Sequence, residues 1–228
     1  MAMNNLSAAE KGKITETRVL KWLFEFEYSN ADILEKATAR SKSAINKALK
    51  RMEFKKLIKS HKPQILRHKI WGITLNGVSR IAEDDYDENR VFNFNKFNEF
   101  SALHHYDIQR VKLYIRKNGF NFYHTRRSFI GTKGKVPDGI METKRGNVAI
   151  EVERTMKSTK RYQQIWGEYV KDINDGKYIA VNYFLTDKES YKLKGIFDST
   201  NKLILNDKSY KFNGHMKSNF DFAKCRLG

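Results

Sequence analysis

The stretch VPDGIMETKRGNVAIEVE, residues 136–153, decides the fold of the larger part of this chain. It has two β-prone halves on either side of an Arg-Gly-Asn turn, a pattern that predicts two paired strands. Residues two apart on a strand share a face, so Glu151 and Glu153 are predicted to point the same way, while the residues beside them point into the core. Pairing of the two strands brings Asp138 next to the glutamates.

The segments around this stretch alternate between helical and extended patterns. The predicted elements are a helix over 103–117 that ends at Asn118-Gly119, a strand over 120–130, strands over 136–142 and 148–153, a helix over 157–173 and a strand over 178–185. The apolar run of the last strand favours an interior position in a sheet. Together these elements predict an α/β sheet with helices packed against it.

The three acids at one sheet edge predict a cation site. Like charges this close repel each other unless a cation or a proton intervenes. Magnesium favours carboxylate oxygens and water, so Asp138, Glu151 and Glu153 are predicted to hold Mg²⁺ or Mn²⁺. Such a metal can activate water and polarise a phosphodiester. The alternative is that the acids form surface ion pairs with the basic residues that follow them, namely Arg154, Lys157 and Arg161.

The N-terminal third has the order of a winged helix-turn-helix. An amphipathic helix from Ile14 precedes a second helix over 31–38 that Asn30 can cap. After a short turn, Ser41 or Ser43 can cap a third helix that continues to Phe54. Two predicted strands, 57–59 and 65–73, then form a hairpin wing, and Thr74 and Asn76 open a further helix. Helix, short helix, tight turn and basic third helix is the helix-turn-helix order.

Positive charge coincides with the elements that such a domain presents to DNA. Thirteen Lys and Arg lie between Lys36 and Arg80, against the single acid Glu53. Phosphate contacts from such a surface supply affinity and orientation but no base readout. The predicted DNA-binding residues are Lys42, Asn46, Lys47, Lys50, Arg51, Lys62 and Arg67.

The composition indicates a folded protein that binds a polyanion. The 228 residues hold 44 Lys and Arg against 26 Asp and Glu, a formal charge of +18, which attracts nucleic acid. An aromatic content of 13% indicates a packed core rather than a disordered basic tail. No apolar run approaches the ~20 residues of a membrane helix, so no membrane insertion is expected. The single cysteine, Cys225, excludes an internal disulfide and fits a reducing cytoplasm.

An acidic run reverses the charge abruptly at Glu83–Glu88, where a linker is the simplest interpretation. The predicted organisation is a winged-helix DNA-binding domain over 1–84, an acidic linker over 85–95 and an α/β domain over 96–228.

Two resemblances follow from these motifs. Pro137-Asp138 followed by Glu151-x-Glu153 resembles the PD-(D/E)xK nuclease signature, with Glu153 where that motif has lysine. Lys157 or Lys160 is the expected substitute. Leu103-His104, the 136–139 segment and Glu151–Thr155 with Lys157 and Tyr162 resemble three motifs of the replication-relaxation family, most closely a MobC-type plasmid mobilisation relaxase. This resemblance covers about residues 14–190.

The resemblance implies a restriction-endonuclease-like fold for the α/β domain, and hence an α/β (α+β overall) chain. It implies a metal-dependent, site- and strand-specific endonuclease of the bacterial cytoplasm that nicks the origin of transfer to start conjugative mobilisation. Its DNA would be double-stranded plasmid DNA, with relaxosome or coupling proteins as further partners. The alternative is a non-catalytic regulator of plasmid replication or transcription. The implied catalytic residues are Asp138, Glu151, Glu153 and Lys157, with His104, Lys160 and Tyr162 as accessories.

Overall fold

A computed structural model describes residues 6–81, 90–125, 135–185 and 187–224 of this mixed α/β protein. The chain divides into two compact units, residues 1–109 and 110–228. Residues 85–89 of the predicted acidic linker, the end of the strand predicted over 120–130 and Cys225 lie outside the described residues. Within the described ranges, no helix combines the length and the apolar character needed to cross a membrane.

The helices of the first unit begin at side-chain caps. The Asn30 side chain accepts from the backbone N–H of Ile33 at 2.9 Å, and the Ser41 hydroxyl accepts from that of Ala44 at 3.4 Å, which confirms both predicted helix starts. The first helix begins earlier than predicted because Ser7 and Glu10 form a capping box. The helices are α1 (Ala8–Phe26), α2 (Ala31–Thr38), α3 (Lys42–Phe54), α4 (Leu75–Ser79) and α5 (Glu99–Lys117), which continues into the second unit.

Three short strands complete the first unit: β1 (Tyr28–Asn30), β2 (Ile58–His61) and β3 (Ile70–Ile73), in the antiparallel order β1-β3-β2. The predicted hairpin is present, but β3 starts five residues later than expected. The intervening loop is held instead by the Glu99 carboxylate, which accepts from the backbone N–H groups of residues 64–66 at 2.6–3.1 Å. Strand β1 was not predicted, because three residues are too few to show a period of two.

The boundary between the units falls inside α5 rather than at the predicted start of the second domain. Buried hydrogen bonds explain why the first half of α5 belongs with the N-terminal elements. The Gln109 side-chain oxygen accepts from the Trp22 indole at 2.8 Å and from the Ser29 hydroxyl at 2.6 Å. The Gln109 amide donates to the Tyr28 carbonyl at 3.0 Å. A fully buried polar side chain needs hydrogen-bond partners, and those of Gln109 lie on the N-terminal elements. The first half of α5 therefore belongs to the first unit.

The second unit contains the elements β4 (Asn121–His124), β5 (Gly139–Thr143), β6 (Gly146–Glu153), α6 (Thr159–Asn174), β7 (Ala180–Leu185), α7 (Asp187–Ser199), β8 (Lys202–Leu205), β9 (Lys208–Lys211), α8 (Gly214–Lys217) and β10 (Phe220–Lys224). Five of these strands form a sheet in the order β10-β7-β6-β5-β4. Strands β4, β5 and β6 form an antiparallel meander, and β7 runs parallel to both of its neighbours, β6 and β10. Helix α6 follows β6, and α7 follows β7. A separate hairpin, β8–β9, and the short helix α8 precede the last strand, β10.

Helix α6 forms the crossover between parallel strands β6 and β7, as parallel pairing requires. Its apolar stripe, which includes Tyr162, Trp166 and Tyr169, packs with Ala149 and Tyr183 of those strands. On the opposite face, the ring of Tyr114 from α5 contacts that of Phe184 on β7, with 5.8 Å between ring centroids. The central strands are therefore covered on both faces, which determines the surroundings of the glutamates on β6.

Candidate functional site

The candidate site lies where β5 and β6 separate. Gly139, the first residue of β5, pairs with Ile150, so the last three residues of β6 extend beyond β5. Beyond the end of β5, the Asp138 carboxylate replaces the backbone as the partner of β6: it accepts a hydrogen bond from the backbone N–H of Val152 at 2.8 Å. The Thr125 hydroxyl donates to the Pro137 carbonyl and so fixes the segment that carries Asp138. Strand pairing thus brings Asp138 beside the two glutamates, as the sequence pattern indicates.

The two glutamates share the face of Ala149, which α6 covers. They are only 5% and 4% exposed, for Glu151 and Glu153 respectively. Their neighbours Ile150 and Val152 are buried on the other face, as expected. The glutamates are therefore not surface acids, and each needs a charged or hydrogen-bonding partner inside the unit.

Two side chains meet one oxygen of Glu151. The Lys135 ammonium lies 2.7 Å from Glu151 Oε1, and the Tyr169 hydroxyl donates to the same oxygen. Burial raises the pKa of Glu151 to about 7, although the Lys135 charge opposes this shift; the charge of Asp138 adds to it. Burial and the Glu151 charge also raise the pKa of Tyr169 well above its usual value, so its hydroxyl remains a donor.

Lys135 is the site residue that sequence reasoning missed. Its side chain is 20% exposed. Burial by itself would lower the pKa of Lys135, but the charges of Glu151, Asp138 and Glu153 raise it above the usual value. Lys135 therefore stays charged among three carboxylates. The available signal was a lysine just before Pro137-Asp138, but no motif spacing distinguishes it from the other lysines nearby.

Glu153 has its own cation. The Lys157 ammonium contacts both carboxylate oxygens of Glu153, so the ion pair with Lys157 that the sequence left as an alternative is formed, although Glu153 itself is buried. Tyr162 is fully buried and stacks on Trp166 with ring centroids 5.3 Å apart. Its hydroxyl accepts from the backbone N–H of Lys157 at 3.2 Å. Burial raises the pKa of Tyr162.

Two further predicted site residues are Lys160 and His104. Lys160 is exposed on the first turn of α6, and His104 lies on α5 within the first unit. In the described ranges, no three His, Cys, Asp or Glu side chains converge in a geometry that would hold a metal ion. The three-carboxylate metal site and the accessory roles stay predictions.

The predicted DNA-binding residues are all exposed on the first unit, but they differ in their partners. Lys42 is paired with Asp32 at 2.9 Å, and Arg51 with Glu16. Phosphate would have to compete with those carboxylates. The other predicted residues are Asn46, Lys47 and Lys50 on α3, and Lys62 and Arg67 in the β2–β3 loop.

Comparisons with known proteins add little to this geometry. No family model matches the chain, and no curated protein matches it. Among solved structures, an apo-form mutant of ZitR from Lactococcus lactis matches 41% of this chain and 75% of its own, with 26% sequence identity and a TM-score of 0.30.

Proposed function

We propose that this protein is a DNA-nicking enzyme of the plasmid relaxase type, with a DNA-binding unit followed by a nuclease unit. The observation that carries the proposal is the group of Asp138, Glu151 and Lys135 at the point where β5 and β6 separate. Buried carboxylates with a shifted pKa beside a specific charged partner are typical of functional sites. Asp138 and Lys135 keep part of their surface open to solvent, so a substrate phosphate can approach them.

The first unit supports DNA recognition by its element order and its exposed basic side chains. Helix, strand, helix, turn, helix and hairpin is the order of a winged helix, in which the third helix enters the major groove. The exposed lysines that suit this role best are Lys47 and Lys50 on α3, because no acid in the described part of the chain pairs with either.

We interpret the second unit as a restriction-endonuclease-like domain. Asp138 and Glu151 suit Mg²⁺ or Mn²⁺ by the chemistry of their oxygens, since Mg²⁺ is commonly held by one or two carboxylates, with water and phosphate oxygens as its other ligands. A third protein carboxylate is then not required, and Glu153 remains paired with Lys157. When bound, the metal would polarise the phosphodiester and activate water.

The other residues of the site have supporting roles in this proposal. Tyr169 fixes the orientation of Glu151, and Lys157 fixes that of Glu153. Lys135 is the charged partner of Glu151 once that carboxyl group has lost its proton, and its ammonium can contact a phosphate beside Asp138. Lys135 thus takes the place of the motif lysine. Cleavage is proposed to be hydrolytic, because the tyrosines that α6 places beside these acids, Tyr162 and Tyr169, are fully buried.

The test is nicking of a supercoiled plasmid that carries the transfer origin, with Mg²⁺ or Mn²⁺ in the buffer. We expect open circles from the wild type, and a loss of about 100-fold or more in Glu151→Gln or Lys135→Ala, the range typical of removing a group that handles protons or charge. Lys157→Ala should lose less. Glu142→Gln is the control, because Glu142 is an exposed carboxylate on β5 that accepts from the Tyr123 hydroxyl at 3.2 Å.

Wild-type protein that binds the origin but leaves it supercoiled would instead favour a non-catalytic DNA-binding regulator. That second candidate has its own supporting observation: both buried glutamates are already paired with lysines, as in a structural ion-pair network. In that case Glu151→Gln would alter stability without altering any reaction.

A further inference from the structure

A cavity in the first unit has no role in the proposed nicking reaction. It lies between α1, the turn after α3 and the end of α4, and its volume of about 440 Å³ is in the range of small-molecule pockets. Three apolar side chains, Leu20, Leu57 and Ile81, form what we call its apolar floor. Leu20 is buried and the other two are half-buried. This floor can accommodate the apolar part of a ligand.

Three cations, which we call the rim cations, also line the cavity. Lys13 and Lys21 lie about two helical turns apart on α1, and Arg80 follows α4. All three residues are exposed, which places them at the entrance rather than on the floor. Within the described ranges, no acid pairs with any of them. They are therefore available to a negatively charged ligand.

One acid, Glu16, lines the cavity as well, but other cations already neutralise it. Its carboxylate is paired with Arg51 on α3 and lies 3.2 Å from the ammonium of Lys55. Burial opposes the ionisation of Glu16, but the hydrogen bonds and charges of these two cations together lower its pKa. The cavity thus keeps an excess of positive charge at its entrance.

We propose that this cavity binds a small organic anion, whose apolar body packs on the apolar floor while its acidic group lies among the rim cations. Ligand pockets commonly combine apolar walls with a few polar or charged groups that fix the orientation of the ligand. The DNA backbone fits this arrangement less well, because phosphates are bound by cations alone and gain nothing from an apolar cavity between them. The site is independent of the carboxylate–lysine group, which belongs to the second unit.

The test is a titration of the full-length protein with anilinonaphthalene sulfonate, an aromatic anion whose fluorescence rises in apolar surroundings. We expect saturable binding of one probe per chain. Replacing both Lys13 and Lys21 by alanine should weaken it about tenfold, the combined effect of two exposed ion pairs. The uncharged analogue phenylnaphthylamine should bind more weakly than the anion, and its affinity should not change in that double variant.

A second variant fills the cavity without removing charge. Thr17 is an exposed residue of α1 in the lining, so Thr17→Trp should place an indole ring in the space of the ligand and abolish binding of both probes. Binding that is unaffected by Thr17→Trp would place the probe outside the cavity and overturn the proposal. Absence of saturable binding to the wild type would overturn it as well.

Lys208→Ala with Lys211→Ala is the matched control. It removes the same charge from two exposed lysines of the second unit, with which no acid in the described part of the chain pairs either. We expect wild-type affinity for the anion. Equal losses in the control and in the Lys13 and Lys21 variant would reduce the effect to net charge. If the latter variant flattened the salt slope of duplex binding by roughly 1.8, its lysines would contact DNA phosphates, and the proposal would fail.

Discussion

At the scale of single residues, Glu151 is the most informative side chain of the protein. It is 5% exposed, and Lys135 and Tyr169 contact the same carboxylate oxygen. Burial nevertheless outweighs these partners and raises its pKa to about 7. The folded protein thus holds a proton on Glu151 at a pH where the unfolded chain has released it.

This linkage predicts a pH-dependent stability. The pKa of Glu151 is raised in the folded state, so its protonated carboxyl group contributes fully to the free energy of unfolding below the unfolded pKa, near 4.5. This contribution is lost as the pH rises to about 7. Relative to Glu151→Gln, the free energy of unfolding of the wild type should fall across this window by at most roughly 3 kcal/mol, because each pH unit between the two pKa values contributes about 1.4 kcal/mol. Urea unfolding in EDTA at pH 4.5, 6 and 7.5 measures it. A constant difference between the two proteins would show that Glu151 has an ordinary pKa.

At the scale of elements, the covering helix α6 decides what the β6 acids become. Its tyrosines and tryptophan fill the face of the sheet on which Glu151 and Glu153 lie. The same helix packs against the β8–β9 hairpin at Gly167. Glycine is required there because a side chain would not fit between the helix and the hairpin, and not because of its backbone conformation. One helix thus encloses the acids on its inner side and positions a basic ribbon elsewhere on its surface.

Gly167→Ala should therefore destabilise the protein by about 1–3 kcal/mol, the usual range for overpacking, because the added methyl meets a backbone oxygen that cannot rotate away. Gly195→Ala on α7 is the matched control. Among the described residues, no atom beyond the chain neighbours and the backbone of its own helix lies within 4 Å of the place that its added methyl would occupy, so helix propensity should raise stability by roughly 0.5–1 kcal/mol. Thermal melting of both variants distinguishes them. If Gly167→Ala left the melting temperature unchanged or raised it, the hairpin would not be seated tightly on α6.

At the scale of the whole molecule, the charge of +18 is divided between two units with different proposed tasks. The exposed lysines of α3 belong to the first, and the carboxylate–lysine group belongs to the second. Binding and nicking should therefore respond to different substitutions.

Replacing both Lys47 and Lys50 by alanine should reduce the slope of log affinity against log salt for duplex DNA by roughly 1.8, at about 0.9 per phosphate contact. Glu151→Gln should leave that slope unchanged, since the residue is buried in the other unit. Filter binding between low and moderate salt provides both values. A slope that did not change in the double lysine variant would mean that α3 faces solvent in the complex.

Local sequence determined much of this protein. The capping side chains Asn30 and Ser41 set the starts of α2 and α3, because a cap acts on the N–H groups of the next turn. The spacing of Asp138, Glu151 and Glu153 predicted their proximity, because strand geometry has a period of two and the turn between the strands is short. The helix and strand order from α5 to β7 followed from periodicity in the same way.

The tertiary structure alone decided which charges meet. Nothing local distinguishes Lys135 from its neighbours; its contact with Glu151 depends on the path of the chain before β5. The burial of Glu151 and Glu153 depends on a helix that follows them in sequence and returns across their face. The boundary inside α5 likewise depends on bonds from Gln109 to residues about 80 positions earlier. Periodicity describes neighbours along the chain, whereas desolvation and ion pairing depend on neighbours in space.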